Sequence, residues 1–144
     1  MKVVLDLPRD IVMAITPVSK LVADAEQDIE TWSVDQVKAR LSDNTVQLVD
    51  IRDVRELWQE GTIPGAFHAP RGLLEFWVDP ESPYAKDIFQ QHKTFVLFCG
   101  SGWRSALAAK ALKDMGLENV VHIKGGYTAW SRSGGDTVVV TPKT

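Results

Sequence analysis

Thr94-Phe95-Val96-Leu97-Phe98-Cys99-Gly100-Ser101-Gly102-Trp103-Arg104-Ser105 is the stretch whose reading decides the fold. Residues 94–98 form an apolar run that reads as a buried strand, and residues 105–115 carry a helical pattern. The only cysteine of the chain therefore sits where a strand turns into a helix. Glycines at 100 and 102 let that turn close tightly and bring backbone N–H groups near a ligand. The start of the helix adds unpaired N–H donors and the positive end of a dipole. A thiol at such a corner faces partial positive charge, which favours its thiolate. The plainer reading of a lone cysteine behind an apolar run is a small buried hydrophobe. The glycines and Arg104 weigh toward chemistry.

Working outward, residues 46–51 read as a second short strand, followed by a helix from Asp53 that stops at Gly61. Ile63-Pro64-Gly65-Ala66 is turn chemistry leading into extended residues 67–70. Aromatic-rich residues 73–78 read as a short helical turn, 79–83 as a loop and 84–92 as a further helix. Beyond the central unit, Gly116 ends the helix and residues 120–123 make another strand. Gly125-Gly126 then precedes a short helix through Trp130. Toward the N-terminus, Thr16 reads as an N-cap with Pro17 at the first helical position. Val18, Leu21, Val22, Ala25 and Ile29 then recur at helical spacing, a stripe suited to packing or to a partner. Ser33 and Gln36 have capping-box spacing and open a helix through Leu41. Residues 1–15 are apolar but aperiodic, an irregular arm or short strand, and residues 138–144 are an edge strand or frayed end. Short strands alternating with helices predict an α/β domain, a mainly parallel central sheet flanked by helices on both faces. The expected organisation is an N-terminal arm and helix over 1–32 packing on the domain, the domain itself over 33–135, and a tail over 136–144.

Composition narrows the function classes. A chain of 144 residues suits one domain with a single core. Net charge is −3 and the basic residues are scattered, which gives no support for nucleic-acid binding. One cysteine makes no internal disulfide, and a reactive thiol suits a reducing compartment. No apolar run approaches a membrane span or a signal-peptide core, so the expected location is cytoplasmic, with no membrane partner.

Ligands of parallel α/β sheets bind beyond the carboxyl ends of the strands. Cys99 stands at one such end, Asp50 and Arg52 at another, and Gly125 and Gly126 at a third, so one pocket can draw on all three. Asp50 and Arg52, with Glu56, also read as an ion-paired brace of the sheet end, the preferred reading over an acid–base set. Arg71 and Glu75 have the spacing of a helical pair. His68, His92 and His122 are isolated and lack metal-ligand spacing to Cys99; His122, within an apolar strand, reads as packed. The five tryptophans are dispersed and read as packing residues.

Cys99-x-x-Gly102-x-Arg104 resembles the active-site loop of the rhodanese, or thiosulfate sulfurtransferase, family. Leu48-Val49-Asp50-Ile51-Arg52 resembles that family's first signature strand, with Glu56 in the helix behind it. Gly61-Thr62-Ile63-Pro64-Gly65-Ala66 is similar to its Gly-His-Ile-Pro-Gly-Ala element, with Thr62 in place of the usual histidine, a position read as structural. Lys124-Gly125-Gly126-Tyr127-x-x-Trp130 is similar to the closing Gly-Gly-x-x-x-Trp element. The resemblance covers about residues 33–135 in the family's order, and residues 70–76 resemble a subset of single-domain bacterial members.

The resemblance implies a rhodanese-like domain that moves sulfane sulfur through a persulfide on Cys99. The donor is thiosulfate, another small sulfur-containing anion or a persulfide, and the acceptor is cyanide or a thiol. No cofactor or metal is required. Gly100, Ser101, Gly102, Trp103 and Arg104 would hold the substrate, with the N–H groups and the Ser101 hydroxyl stabilising the persulfide anion. Arg104 either attracts an anionic donor or anchors the loop to a carboxylate, and Trp103 either walls the pocket or packs beside it. Asp50 and Arg52 support the site. Four residues separate Cys99 from Arg104, one fewer than in rhodanese-like phosphatases, so the cradle suits sulfur over a tetrahedral phosphate. Arsenate reduction is a minor alternative, as is phosphatase activity. A sulfur carrier or partner-binding module without turnover is the main one. Oligomeric state is left open.

Overall fold

The computed structural model describes residues 2–4, 6 and 14–143. Five strands form one sheet: β1 (Glu30–Trp32), β2 (Val46–Asp50), β3 (Phe67–His68), β4 (Thr94–Phe98) and β5 (Val120–Ile123). Their order is β1-β5-β4-β2-β3 and every pairing is parallel. The helices are α1 (Val18–Asp28), α2 (Val34–Lys38), α3 (Val54–Glu60), α4 (Leu74–Val78), α5 (Trp103–Asp114) and α6 (Gly126–Arg132). This is the expected α/β architecture.

Strand alternation divides the core between the two faces. Phe95 and Leu97 of β4 join α1, α4 and α5 through Val22, Ala25, Ile29, Leu74, Ala106, Ala109 and Leu112. Val96 and Phe98 face the other way, onto Val37 of α2 and onto Tyr127 and Trp130 of α6. The chain leaves β2 for β3 on one side, then returns to β4 and continues to β5 on the other. The order reverses between β2 and β4, which puts Cys99 at the topological switch point where such sheets open a crevice.

Several local expectations change. β1, which pairs with β5, was not singled out from sequence; its three residues are too few to show a period. Pro17 is the N-cap of α1 itself, with no side-chain cap bond, so Val18 opens the helix. Val22, Ala25 and Ile29 are buried, whereas Val18 and Leu21 stay exposed, so only part of the apolar stripe docks. The Ser33–Gln36 capping box forms as read, but its helix ends at Lys38. Residues 84–92 hold only a 3-10 turn at Asp87–Gln90, since Phe89 is its one buried residue. Val138 makes an isolated antiparallel bridge to Thr62, and the other described residues of the tail have no strand. The arm over 1–15 lies largely outside the described residues, and those described are exposed without regular structure. No helix among the described residues is long and apolar enough to cross a membrane.

Candidate active site

Cys99 directly follows β4, is 1% exposed, and turns its sulfur under the loop that opens α5. Gly102 N–H donates to Sγ at 3.2 Å and Ser105 N–H at 3.4 Å. Gly102 has φ of 107°, a backbone conformation that favours glycine. Trp103 and Arg104 open the helix, where N–H groups have no intrahelical acceptor. Of the loop donors expected from the sequence, Gly102 N–H reaches the sulfur, and Ser105 N–H joins it from beyond that set.

The Gly125-Gly126 element explains how the loop is held. Tyr127 N–H donates to Cys99 O at 2.8 Å, and Thr128 N–H to Gly100 O at 3.0 Å. The first turn of α6 thus takes the loop's carbonyls, leaving its N–H side to face the sulfur. Gly126 has φ of 60° and lies against those same carbonyls.

Arg104 lies across the mouth of β2 and anchors the loop. Its Nη1 and Nη2 donate to both oxygens of Glu56 at 2.9 and 3.0 Å, while Glu56 also accepts from Asp53 N–H to close the capping box of α3. The guanidinium holds the Glu56 carboxyl below the ordinary glutamate range, and Glu56 raises Arg104 in turn. This pair is the carboxylate contact expected of an anchoring role, and the guanidinium also faces Cys99. Trp103 and Ser101 are exposed at the rim. The hydroxyl beside Sγ belongs to Ser105, at 3.6 Å, and Ser105 was missed from sequence.

Asp50 and Arg52 are 0% exposed and form the ion pair of the brace, with Glu60 in the place expected for Glu56, which pairs with Arg104 instead. Arg52 Nε and Nη2 donate to Asp50 at 3.0 and 2.8 Å, Nη1 to Glu60 at 2.8 Å and Nη2 to Gly61 O at 2.7 Å. Thr62 Oγ1 donates to Asp50 Oδ2 at 2.7 Å, so the residue replacing the family's histidine completes the carboxylate's shell. Tyr127 supplies a ring 4.1 Å from the guanidinium. Burial opposes the Arg52 charge, but the Asp50 hydrogen bonds and charge outweigh it and raise Arg52. The network ties β2 to α3 and α6 below the loop without touching the sulfur. Gly126 lies against Cys99 O and Gly125 beside Gly102, whereas Asp50 and Arg52 bond to Thr62, Glu60 and Gly61 rather than to the loop.

His122 is the other residue that sequence reasoning set aside. Its ring is buried, with Nδ1 2.9 Å from Ser105 Oγ and Nε2 3.1 Å from Thr31 Oγ1. A polar residue in the middle of Val120-Val121-His122-Ile123 was the available signal. Burial pushes its pKa down to about 4. An unfolded histidine takes a proton near about 6.5, so below that pH the unfolded state binds more protons than the native one. The stability this gives is complete above about pH 6.5 and is lost as pH falls to about 4, about 3 kcal/mol in all. Urea unfolding across this range should show that loss in the wild type and a flatter profile in His122→Asn. Equal slopes would contradict a buried neutral ring. Among the described residues no three His, Cys, Asp or Glu side chains gather as a metal site.

Comparison with known proteins agrees with this geometry. Residues 33–133 match the model of the rhodanese-like domain. A sulfurtransferase of Allochromatium vinosum is 36% identical over 107 residues, 74% of this chain and 90% of that protein. The probable adenylyltransferase/sulfurtransferase MoeZ of Mycobacterium tuberculosis is 36% identical over 91 residues, 63% of this chain but only 21% of that longer protein. Among solved structures, a Rhodopseudomonas palustris protein of unknown function, described as a possible tyrosine phosphatase, superposes with a TM-score of 0.83 at 46% identity. That match covers 92% of this chain and 100% of the other. The chain, with its single buried cysteine in a strand-to-helix cradle, belongs to the rhodanese-like sulfurtransferase family.

Proposed function

We propose that the protein transfers sulfane sulfur from thiosulfate or a persulfide donor to a thiophilic acceptor through a persulfide on Cys99. The observation that carries this is the Cys99 sulfur held by the Gly102 and Ser105 N–H groups at 3.2 and 3.4 Å. Cys99 thiolate attacks the donor's outer sulfur. An S–S bond forms to Sγ as the old bond breaks, and its electron pair leaves with sulfite or the donor thiolate. The remaining loop N–H groups, from Gly100 to Arg104, face the terminal sulfur and stabilise its charge. Cyanide or a thiolate then attacks that terminal sulfur and Cys99 leaves as thiolate, restoring the start.

The four-residue interval between Cys99 and Arg104 favours sulfur over phosphate, and this separates the reading from the phosphatase description of the Rhodopseudomonas structure. One observation favours a carrier over an efficient thiosulfate enzyme. Arg104 is paired with Glu56, so the loop offers a dianionic donor little free positive charge. A slender persulfide suits a cysteine only 1% exposed.

Thiocyanate formation from cyanide, with thiosulfate and with a small organic persulfide as donors, tests the proposal. Turnover that disappears in Cys99→Ala is expected, faster with the persulfide. Loading without turnover makes the protein a carrier. Phosphate-ester hydrolysis outrunning sulfur transfer would overturn the loop-length argument.

A further inference from the structure

The sulfur of Cys99 begins a chain of hydrogen bonds that the reaction above does not use. Sγ is 3.6 Å from Ser105 Oγ, Ser105 Oγ is 2.9 Å from His122 Nδ1, and His122 Nε2 is 3.1 Å from Thr31 Oγ1. The fold dictates this line. Parallel register sets Thr31 of β1 beside His122 of β5, and Leu97 of β4 beside it on the other side. The three therefore share the face on which α5 packs, and the first turn of α5 lowers Ser105 between the ring and Cys99. Cys99, Ser105 and His122 are buried, while Thr31 is half-buried on the edge strand.

We propose that Ser105, His122 and Thr31 form a proton relay that carries the Cys99 thiol proton to the sheet edge and leaves the Ser105 hydroxyl donating to the thiolate. This deepens the sulfur-transfer reading and rests on it for Cys99 being the reacting thiolate. With Cys99 a thiol, S–H donates to Ser105 Oγ, the Ser105 hydroxyl to His122 Nδ1, and His122 Nε2–H to Thr31 Oγ1. Moving each proton one place along sends one proton from Thr31 to water. Sγ is left negative, and no other group changes charge. Every donor then points back: the Thr31 hydroxyl to Nε2, Nδ1–H to Ser105 Oγ, and the Ser105 hydroxyl to Sγ. The imidazole changes tautomer without becoming an imidazolium, which suits a ring whose pKa burial has pushed to about 4. Gly102 O, 3.3 Å from Ser105 Oγ, is a competing acceptor that the thiolate must outbid.

Ser105 touches the reacting sulfur, whereas His122 and Thr31 are positioning residues. Neither ring nitrogen meets an ionised group. Of the charged side chains on the surrounding elements, Arg104 pairs with Glu56 and also faces Cys99, while Lys110 of α5 pairs with Asp28 at the end of α1 and with Asp114. Glu30 of β1 accepts from Trp32, and Lys124 after β5 is exposed. The sulfur is thus the one group on this line whose charge changes as the thiol ionises.

Nitrogen-15 spectra of the His122 ring read the tautomer, and ultraviolet absorbance reads the thiolate, in the full chain without any sulfur donor. Above the range where His122 itself protonates, the ring should be Nε2–H while Cys99 is a thiol and Nδ1–H once it is a thiolate, the two transitions coinciding. Ser105→Ala should uncouple them and leave about tenfold less thiolate at a given pH. Cys99→Ala, a small-for-small change in the core, should hold the ring in one tautomer throughout. A wild-type ring that keeps one tautomer while the thiol ionises, or a switch that persists in Cys99→Ala, overturns the relay. Because neither measurement needs persulfide formation, failure of the relay and failure of sulfur transfer are separately visible.

Discussion

Arg52→Met is expected to lower stability by about 3–5 kcal/mol, because it strands a buried carboxylate. Asp50 is 0% exposed and accepts from Arg52 N, Nε and Nη2 and from Thr62 Oγ1. Methionine fills much of the same volume but leaves Asp50 its backbone bond and one hydroxyl, with no opposing charge. Gly61 O and Glu60 lose their donors as well. Adding Asp50→Leu to Arg52→Met removes the stranded charge and should recover part of the loss, since a buried pair is often replaceable by apolar groups. Urea unfolding of the wild type and the two variants measures both numbers. A cost below about 1 kcal/mol for Arg52→Met would place the pair among ordinary surface bridges and remove the brace from the account.

Gly126→Ala is expected to cost at least about a hundredfold in sulfur transfer, the scale of an ångström's misplacement in an active site. An alanine Cβ would lie 2.5 Å from Cys99 O, 2.8 Å from Gly100 O and 2.9 Å from Gly100 C, at a φ of +60°. All three are backbone atoms of the cradle, so no side-chain rotation relieves the contact. Either α6 or the loop must move, and the bonds from Tyr127 and Thr128 to the loop carbonyls are the ones that give. Gly65→Ala is the control: φ is +82° but nothing lies within 4 Å, so it strains the backbone away from the site. Rates and melting temperatures of both variants separate the effects. Equal activity of Gly126→Ala and Gly65→Ala would show that the α6 contact does not shape the cradle.

The parts legible in the sequence are those encoded locally. The apolar run before Cys99 and the glycines after it specify a strand-to-helix corner, the Ser33–Gln36 spacing places one helix start, and the helix read from Asp53 places another. The tail's bridge to Thr62 was open because the partner lies in a distant turn. What stayed hidden depends on register and on long-range pairing. Glu56 meets Arg104 only once β2 and β4 lie side by side, although both residues stood out separately. Ser105 reached the sulfur in place of Ser101 because the helix turns position 105 inward and leaves 101 at the rim. His122 read as packing, and it is packed; its link to Cys99 needs the Thr31 register of a strand too short to announce itself. The helix expected over 84–92 failed for a different reason, since one buried aromatic gives a helix too little to dock.

The central claim is that the buried thiol at the end of β4 takes up a single sulfane sulfur. Intact-protein mass spectrometry after incubation with thiosulfate or a persulfide donor tests it most directly. The account predicts a gain of one sulfur atom in the wild type, none in Cys99→Ala, and return to the starting mass on adding cyanide. No gain from any persulfide donor, or the same gain in Cys99→Ala, would contradict it.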